Sequence, residues 1–256
     1  MPTTFTIASS DPSLLERATQ LAENFAQRYQ LDGIVGIVFL GSIVRGYFES
    51  FDDIDVFLYK APGADIAPPE QYIHEQGFEI HTVMLDYDSE VESDWGMAKR
   101  WAYSSHRIAY DPQGLIARLL DDKVRLLPEE KHWLLISGMA LSNWYCNTLP
   151  RLWIARGNLT SAQHMFEEGV THFLNALFAL NNEMVADVKW RFYAAERLPI
   201  LPRDFSARIR EVMRLVDFTE ADIDRRRQAF TELWNEALPL VEAEVQMPYA
   251  EFSKLV

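Results

Sequence analysis

The apolar run at residues 34–40 (IVGIVFL) stops abruptly at Gly41-Ser42. A continuous apolar run of that length, cut off by a turn signal, reads as a strand. Two more runs of strand length follow, 54–59 (IDVFLY) and 78–85 (FEIHTVML), the second directly behind Gly77. The Pro- and Gly-bearing stretch 61–69 between them reads as loop. Residues 106–110 add one more short strand. Ahead of the first strand, Asp11-Pro12 pairs a capping side chain with a residue suited to the first helical position. Leu14, Leu15, Ala18, Leu21, Ala22 and Phe25 then recur at helical spacing, so a helix is expected to about Gln30. The acid-rich residues 86–94 read as a solvated loop, followed by an aromatic helical stretch to about Tyr103. Asp111-Pro112 opens a further helix through Leu120.

After Pro128 the pattern changes. Residues 129–156, 160–181, 187–196, 205–216 and 219–245 carry helical spacing, with breaks at Gly157-Asn158, Asn181-Asn182, 199–202 and 217–219. No strand pattern recurs there. The expectation is therefore an α+β chain: a small mixed-sheet domain over 1–125, then an all-helical bundle over 126–256.

With 256 residues, 48% of them hydrophobic, the chain can bury a substantial core. Its 38 acids outnumber its 24 Lys and Arg, a formal charge of -14. That field repels a phosphate backbone, so nucleic acid is not expected as a partner. The single cysteine, Cys146, can form no internal disulfide and no zinc cluster by itself. Beside Trp144 and Tyr145 it reads as a small buried side chain. Residues 1–10 lack leader character, and no run has the length of a membrane span. A cytoplasmic protein is expected.

The chemistry concentrates at residues 40–56. A strand ending in Gly41-Ser42 leaves backbone bare for close approach of a ligand, and a Ser hydroxyl with neighbouring N–H groups suits phosphate oxygens. Asp53 and Asp55 alternate with Ile54 and Val56, so both carboxylates share one strand face, about 7 Å apart. Such a pair suits Mg²⁺, a hard cation that prefers oxygen and bridges protein to triphosphate. Glu79, on the third run, fits the same face. It can complete a metal shell or take a proton from an attacking hydroxyl. His81, two residues on, shares that face and reads as a packing or hydrogen-bonding residue rather than a ligand.

These pieces resemble the nucleotidyltransferase superfamily, which includes DNA polymerase beta and antibiotic nucleotidyltransferases. The shared features are Gly41-Ser42 behind a hydrophobic residue, the spaced Asp53-Ile54-Asp55, a later acid at Glu79, and Arg45-Gly46 shortly after Gly-Ser. The likeness spans about residues 34–120. Beyond it, Ala179 to Asn182, Lys189-Trp190 and Leu198-Pro199 more loosely resemble the helical half of aminoglycoside-adenylyltransferase-like proteins. Asp52 departs from the family, which often has Ser before the first metal Asp. The resemblance implies two divalent ions held by Asp53, Asp55 and Glu79. It also implies nucleotide contacts from Gly41, Ser42, Arg45 and Lys189. The reaction it implies is transfer of a nucleoside monophosphate, first of all from ATP, to the hydroxyl of a small molecule such as an aminoglycoside-like compound. Two alternatives stay open: a protein side chain as acceptor, and a nucleotide-binding regulatory module with little turnover. From the residues alone, Arg45 can equally tie down the turn, and Lys189 can be an ordinary solvated lysine.

Overall fold

The structure, a computed structural model, describes residues 11–256. Residues 1–10, expected from sequence to lack leader character, lie outside the described residues. The chain divides into two compact units, Met1–Arg125 and Leu126–Val256, each with its own architecture.

The first unit opens with α1 (Pro12–Arg28), whose N-cap Asp11 accepts the Ser13 N–H at 2.9 Å. Next come β1 (Ile34–Phe39), the single turn α2 (Ser42–Arg45), β2 (Asp53–Lys60), β3 (Tyr72–Glu75) and β4 (Phe78–Asp86). The unit closes with α3 (Tyr87–Glu92), α4 (Met97–Tyr103), β5 (Arg107–Tyr110) and α5 (Leu115–Lys123). The five strands form one mixed sheet in the order β3-β4-β2-β1-β5. Only β2 and β4 run parallel; the other pairs are antiparallel. The α+β expectation of a small mixed sheet followed by helices is met.

The expected loop over 61–69 is present, and behind it a stretch that the sequence pattern leaves unassigned forms an edge strand, β3. It joins β4 through the two-residue turn Gln76-Gly77, both at positive φ (52° and 85°), as a tight hairpin requires. Two local expectations need correcting. The acid-rich stretch is helical rather than a solvated loop. The Asp86 side chain accepts the Ser89 N–H at 3.2 Å, and Asp88 and Glu90 lie in the first turn, where carboxylates favour the helix dipole. Glu90 is buried and pairs with Lys99. Last, α5 begins at Leu115, not at Pro112, and Asp111 reaches in to accept the Ala117 N–H at 2.9 Å.

The sheet buries both faces. On one, Ile37, Phe39, Ile54, Val56, Leu58 and Ile80 pack with Ala18, Leu21, Ala22 and Phe25 of α1. On the other, Val38, Leu40 and Tyr59 pack with Trp95, Tyr103, Ile116, Leu119 and Leu120. Strand parity puts Asp53 and Asp55 on this second face together with Phe57 and Tyr59. The later half of β2 is thus apolar and covered there, while its first half carries carboxylates.

The second unit comprises α6 (Pro128–Asn143), a π-helical turn (Trp144–Thr148), α7 (Leu149–Ala155) and α8 (Leu159–Leu180). It continues with α9 (Arg191–Ala195), α10 (Phe205–Met213), α11 (Glu220–Val245) and α12 (Tyr249–Phe252). The expected single helix over 129–156 is divided by the π turn just ahead of Pro150. Proline has no N–H to continue the ladder, and a wider turn absorbs the break. Cys146 is buried in that turn, and burial pushes its thiol well above the usual range. Among the described residues, no helix is long and apolar enough to cross a membrane.

Candidate functional site

Register decides which side chains meet on the polar half of the second face. In the parallel β2–β4 pair, Asp53 lies opposite Glu79 and Asp55 opposite His81. In the β3–β4 hairpin, His74 lies opposite Glu79 and Tyr72 opposite His81. Two rows therefore cross the sheet: Tyr72–His81–Asp55 and His74–Glu79–Asp53. The first is tightly knit. His81 Nδ1 and Asp55 Oδ1 are 3.0 Å apart, and the His81 ring stacks on Tyr72 at 5.0 Å and 16°. The second is looser, with His74 Nε2 3.5 Å from Glu79 Oε2.

The Gly41-Ser42 turn borders the first row. Gly41 adopts φ 72° and ψ -147°, a combination open to glycine and hardly to other residues. A Cβ placed on it would lie 2.4 Å from Asp55 Oδ2, well inside contact distance. The missing side chain is what lets the Asp55 carboxylate lie against the backbone of the turn. Ser42 is buried, and its Oγ donates to the Asp53 carbonyl oxygen at 3.4 Å, linking α2 to the start of β2. Ahead of Asp53, Asp52 accepts the Glu49 N–H at 2.8 Å and closes the turn. The acid that departs from the family pattern thus has a local structural role.

Asp53, Asp55 and His81 each offer one donor atom, and these atoms all lie within 4.8 Å of one another. Two carboxylates and an imidazole are a competent donor set for a divalent cation. The three residues are neither deeply buried nor fully exposed; the Asp55 and His81 side chains retain 25% and 22% of their accessibility. Water and a substrate oxygen therefore have access to the remaining coordination positions. His81, read from sequence as a packing residue, belongs to this group. Glu79 stands outside it; it lies in the row of Asp53, one row from Asp55 and His81, and beside His74.

Arg45 is turned inward, with 8% of its surface exposed. Its guanidinium lies 4.4 Å over the Trp101 ring, and Nη1 donates to Ser105 Oγ at 3.1 Å. Burial lowers its pKa, with a small opposing effect from Tyr47. These contacts hold the turn after β1 to α4 and its following residues. Lys189 belongs to the second unit, where it is exposed and its backbone N–H is taken by the Asp187 carboxylate at 3.1 Å. Behind the site, the Tyr59 hydroxyl donates to the Tyr103 hydroxyl at 2.8 Å in the covered half of the face. Burial raises the pKa of both phenols.

No protein-family model matches this chain, and no curated protein matches it. Among solved structures, the chain is similar to a nucleotidyltransferase-like protein from Exiguobacterium sibiricum, at 12% identity and a TM-score of 0.49. The likeness covers 90% of this chain and 77% of that one. A likeness of that degree bears on neither activity nor substrate, which rest on the site's own residues.

Proposed function

We propose that this chain is a divalent-cation-dependent nucleotidyltransferase. It would move a nucleoside monophosphate from a nucleoside triphosphate to a hydroxyl of a small molecule. ATP is the first donor to test, and an aminoglycoside-like compound the first acceptor class. One observation carries the reading: Asp53 and Asp55 project together from the start of β2, with Asp55 seated against the bare backbone of Gly41.

In this reading Asp53 and Asp55 hold the cation, and the Gly41-Ser42 turn leaves room for the triphosphate beside them. When bound, the cation would neutralise phosphate charge and align the reacting oxygens. The acceptor oxygen forms a bond to the α-phosphorus, and the bond from that phosphorus to the bridging oxygen breaks. Pyrophosphate leaves with the electron pair, and the hydroxyl proton passes to Glu79. Arg45 supports the turn from within. Lys189 enters on the resemblance alone, and unchanged nucleotide affinity in Lys189→Ala would remove it.

Three carboxylates on one strand-end face repel a triphosphate unless a cation intervenes. Nucleotide binding should therefore require the metal. The test is calorimetric titration of ATP, GTP, CTP and UTP, with divalent cation and with chelator, on the native protein and on Asp53→Asn. Pyrophosphate release with candidate acceptors then reports turnover. Cation-dependent binding of a nucleotide, weakened in the variant, together with a loss of transfer of at least about 100-fold, supports the reading. Equal binding with and without chelator, or undiminished transfer in Asp53→Asn, overturns it.

A further inference from the structure

Paired aspartates alone suit magnesium. The third donor in this chain is a nitrogen, and that changes which ion the site prefers. His81 lies opposite Asp55 in the β2–β4 register, with Nδ1 3.0 Å from Asp55 Oδ1. Donors bound at about 2.1 Å to one ion lie about 3.0 Å apart at right angles and about 3.4 Å apart at the tetrahedral angle. The observed separation is a hydrogen-bond distance and is also one that two ligands of a single ion adopt. The stack on Tyr72 holds the imidazole plane in place, so its orientation is settled before any ion arrives. Gly41 supplies independent support, since a side chain there would push the Asp55 carboxylate out of the group.

We infer that His81 is a direct ligand of the resident cation. The site then selects first-row ions that accept imidazole nitrogen, the class of Mn²⁺, Co²⁺ and Zn²⁺, over Mg²⁺. Magnesium binds carboxylate and water oxygens and gains little from a nitrogen donor, whereas first-row ions bind imidazole readily. The inference rests on the cation-binding role given to Asp53 and Asp55 in the proposed function, and it is tested without turnover.

The probe is Mn²⁺ alone, added below stoichiometry to the full chain. Electron spin echo modulation of the bound Mn²⁺ detects a directly coordinated imidazole nitrogen, and labelling the histidines with ¹⁵N confirms its source. The chain has six histidines, so His81→Gln and His81→Asp assign the signal. The expected result is nitrogen modulation in the native protein that both variants lose. Mn²⁺ should also bind at least about 100-fold more tightly than Mg²⁺, and His81→Asp should narrow that ratio to about 10-fold or less. Circular dichroism of each variant guards against misfolding, and a native spectrum without nitrogen modulation is decisive without any variant. Mn²⁺ bound with no nitrogen modulation overturns the inference while leaving cation-dependent nucleotide transfer intact. Nitrogen modulation without nucleotide transfer upholds the inference and counts against the transferase reading. No Mn²⁺ binding in the native protein overturns both.

Discussion

Replacing Gly41 by alanine isolates the feature on which the site's geometry depends. Two costs follow from the structure. The backbone at φ 72° and ψ -147° is strained for any residue with a Cβ, by about 1–3 kcal/mol. Separately, the new methyl would lie 2.4 Å from Asp55 Oδ2. The carboxylate must swing aside, at about 0.5–1.5 kcal/mol for an off-rotamer side chain, and it loses its hydrogen bond to His81, worth about the same. The total is about 2–6 kcal/mol. Asp55→Ala separates the two costs, because it removes the colliding oxygen and leaves only the Asp55 Cβ, 3.7 Å from the new methyl. In that background Gly41→Ala should cost only the backbone strain, giving a coupling of about 1–3 kcal/mol between the sites. Because the chain has two compact units, a global denaturation curve is not a safe readout. Native-state hydrogen exchange of the β1 and β2 amides reports the relevant unit directly. Equal costs in the two backgrounds would refute the claim that Gly41 makes room for Asp55. A cost below about 0.5 kcal/mol in the native background would refute the backbone argument as well. Cation affinity provides a second readout and should fall with the displaced carboxylate.

The other predictions concern groups away from the candidate metal site. Burial raises the phenol pKa of Tyr59 and Tyr103 above the ordinary 10.0. Below pH 10 folded and unfolded chains both keep these protons; above it the unfolded chain releases them first, so the sheet unit should lose stability as pH rises past about 10. Tyr59→Phe/Tyr103→Phe should flatten that loss in alkaline hydrogen-exchange profiles. Tyr103→Phe alone strands the buried Tyr59 hydroxyl at a cost of about 1–3 kcal/mol, and the double variant should cost less than this single one; the opposite order would refute the pairing. Cys146 is buried with its thiol pKa raised, so a disulfide reagent at neutral pH should leave the native protein unlabelled and label one thiol per chain on unfolding. Rapid native labelling would contradict that burial.

Patterns local in sequence were legible before the structure. Alternation in Asp53-Ile54-Asp55-Val56 put both carboxylates on one face, and Asp11-Pro12 marked the first helix. Features that depend on distant partners were not. Nothing near Arg45 reveals that Trp101 and Ser105 take its guanidinium, and the helical spacing across 129–156 conceals a π turn.

The third donor is the most instructive case. Parity assigns Glu79 and His81 to the same face equally well, and a slide of β4 by two residues would keep every face while exchanging one for the other beside Asp55. Hydrophobic pattern does not choose between those registers; the pairing of β4 with β2, distant in sequence, does. The Gln76-Gly77 turn sets Glu75 opposite Phe78, and Thr82 is tied to the preceding segment through its N–H to the Gln71 carbonyl at 2.8 Å and its Oγ1 to the Glu70 carbonyl at 2.6 Å. These contacts fix β3 against β4, while the β2–β4 pairing itself sets His81 opposite Asp55 and Glu79 opposite Asp53. Under the inference that His81 is a ligand, ion preference follows from the β2–β4 register, and a two-residue slide of β4 along β2 would exchange His81 for Glu79 beside Asp55.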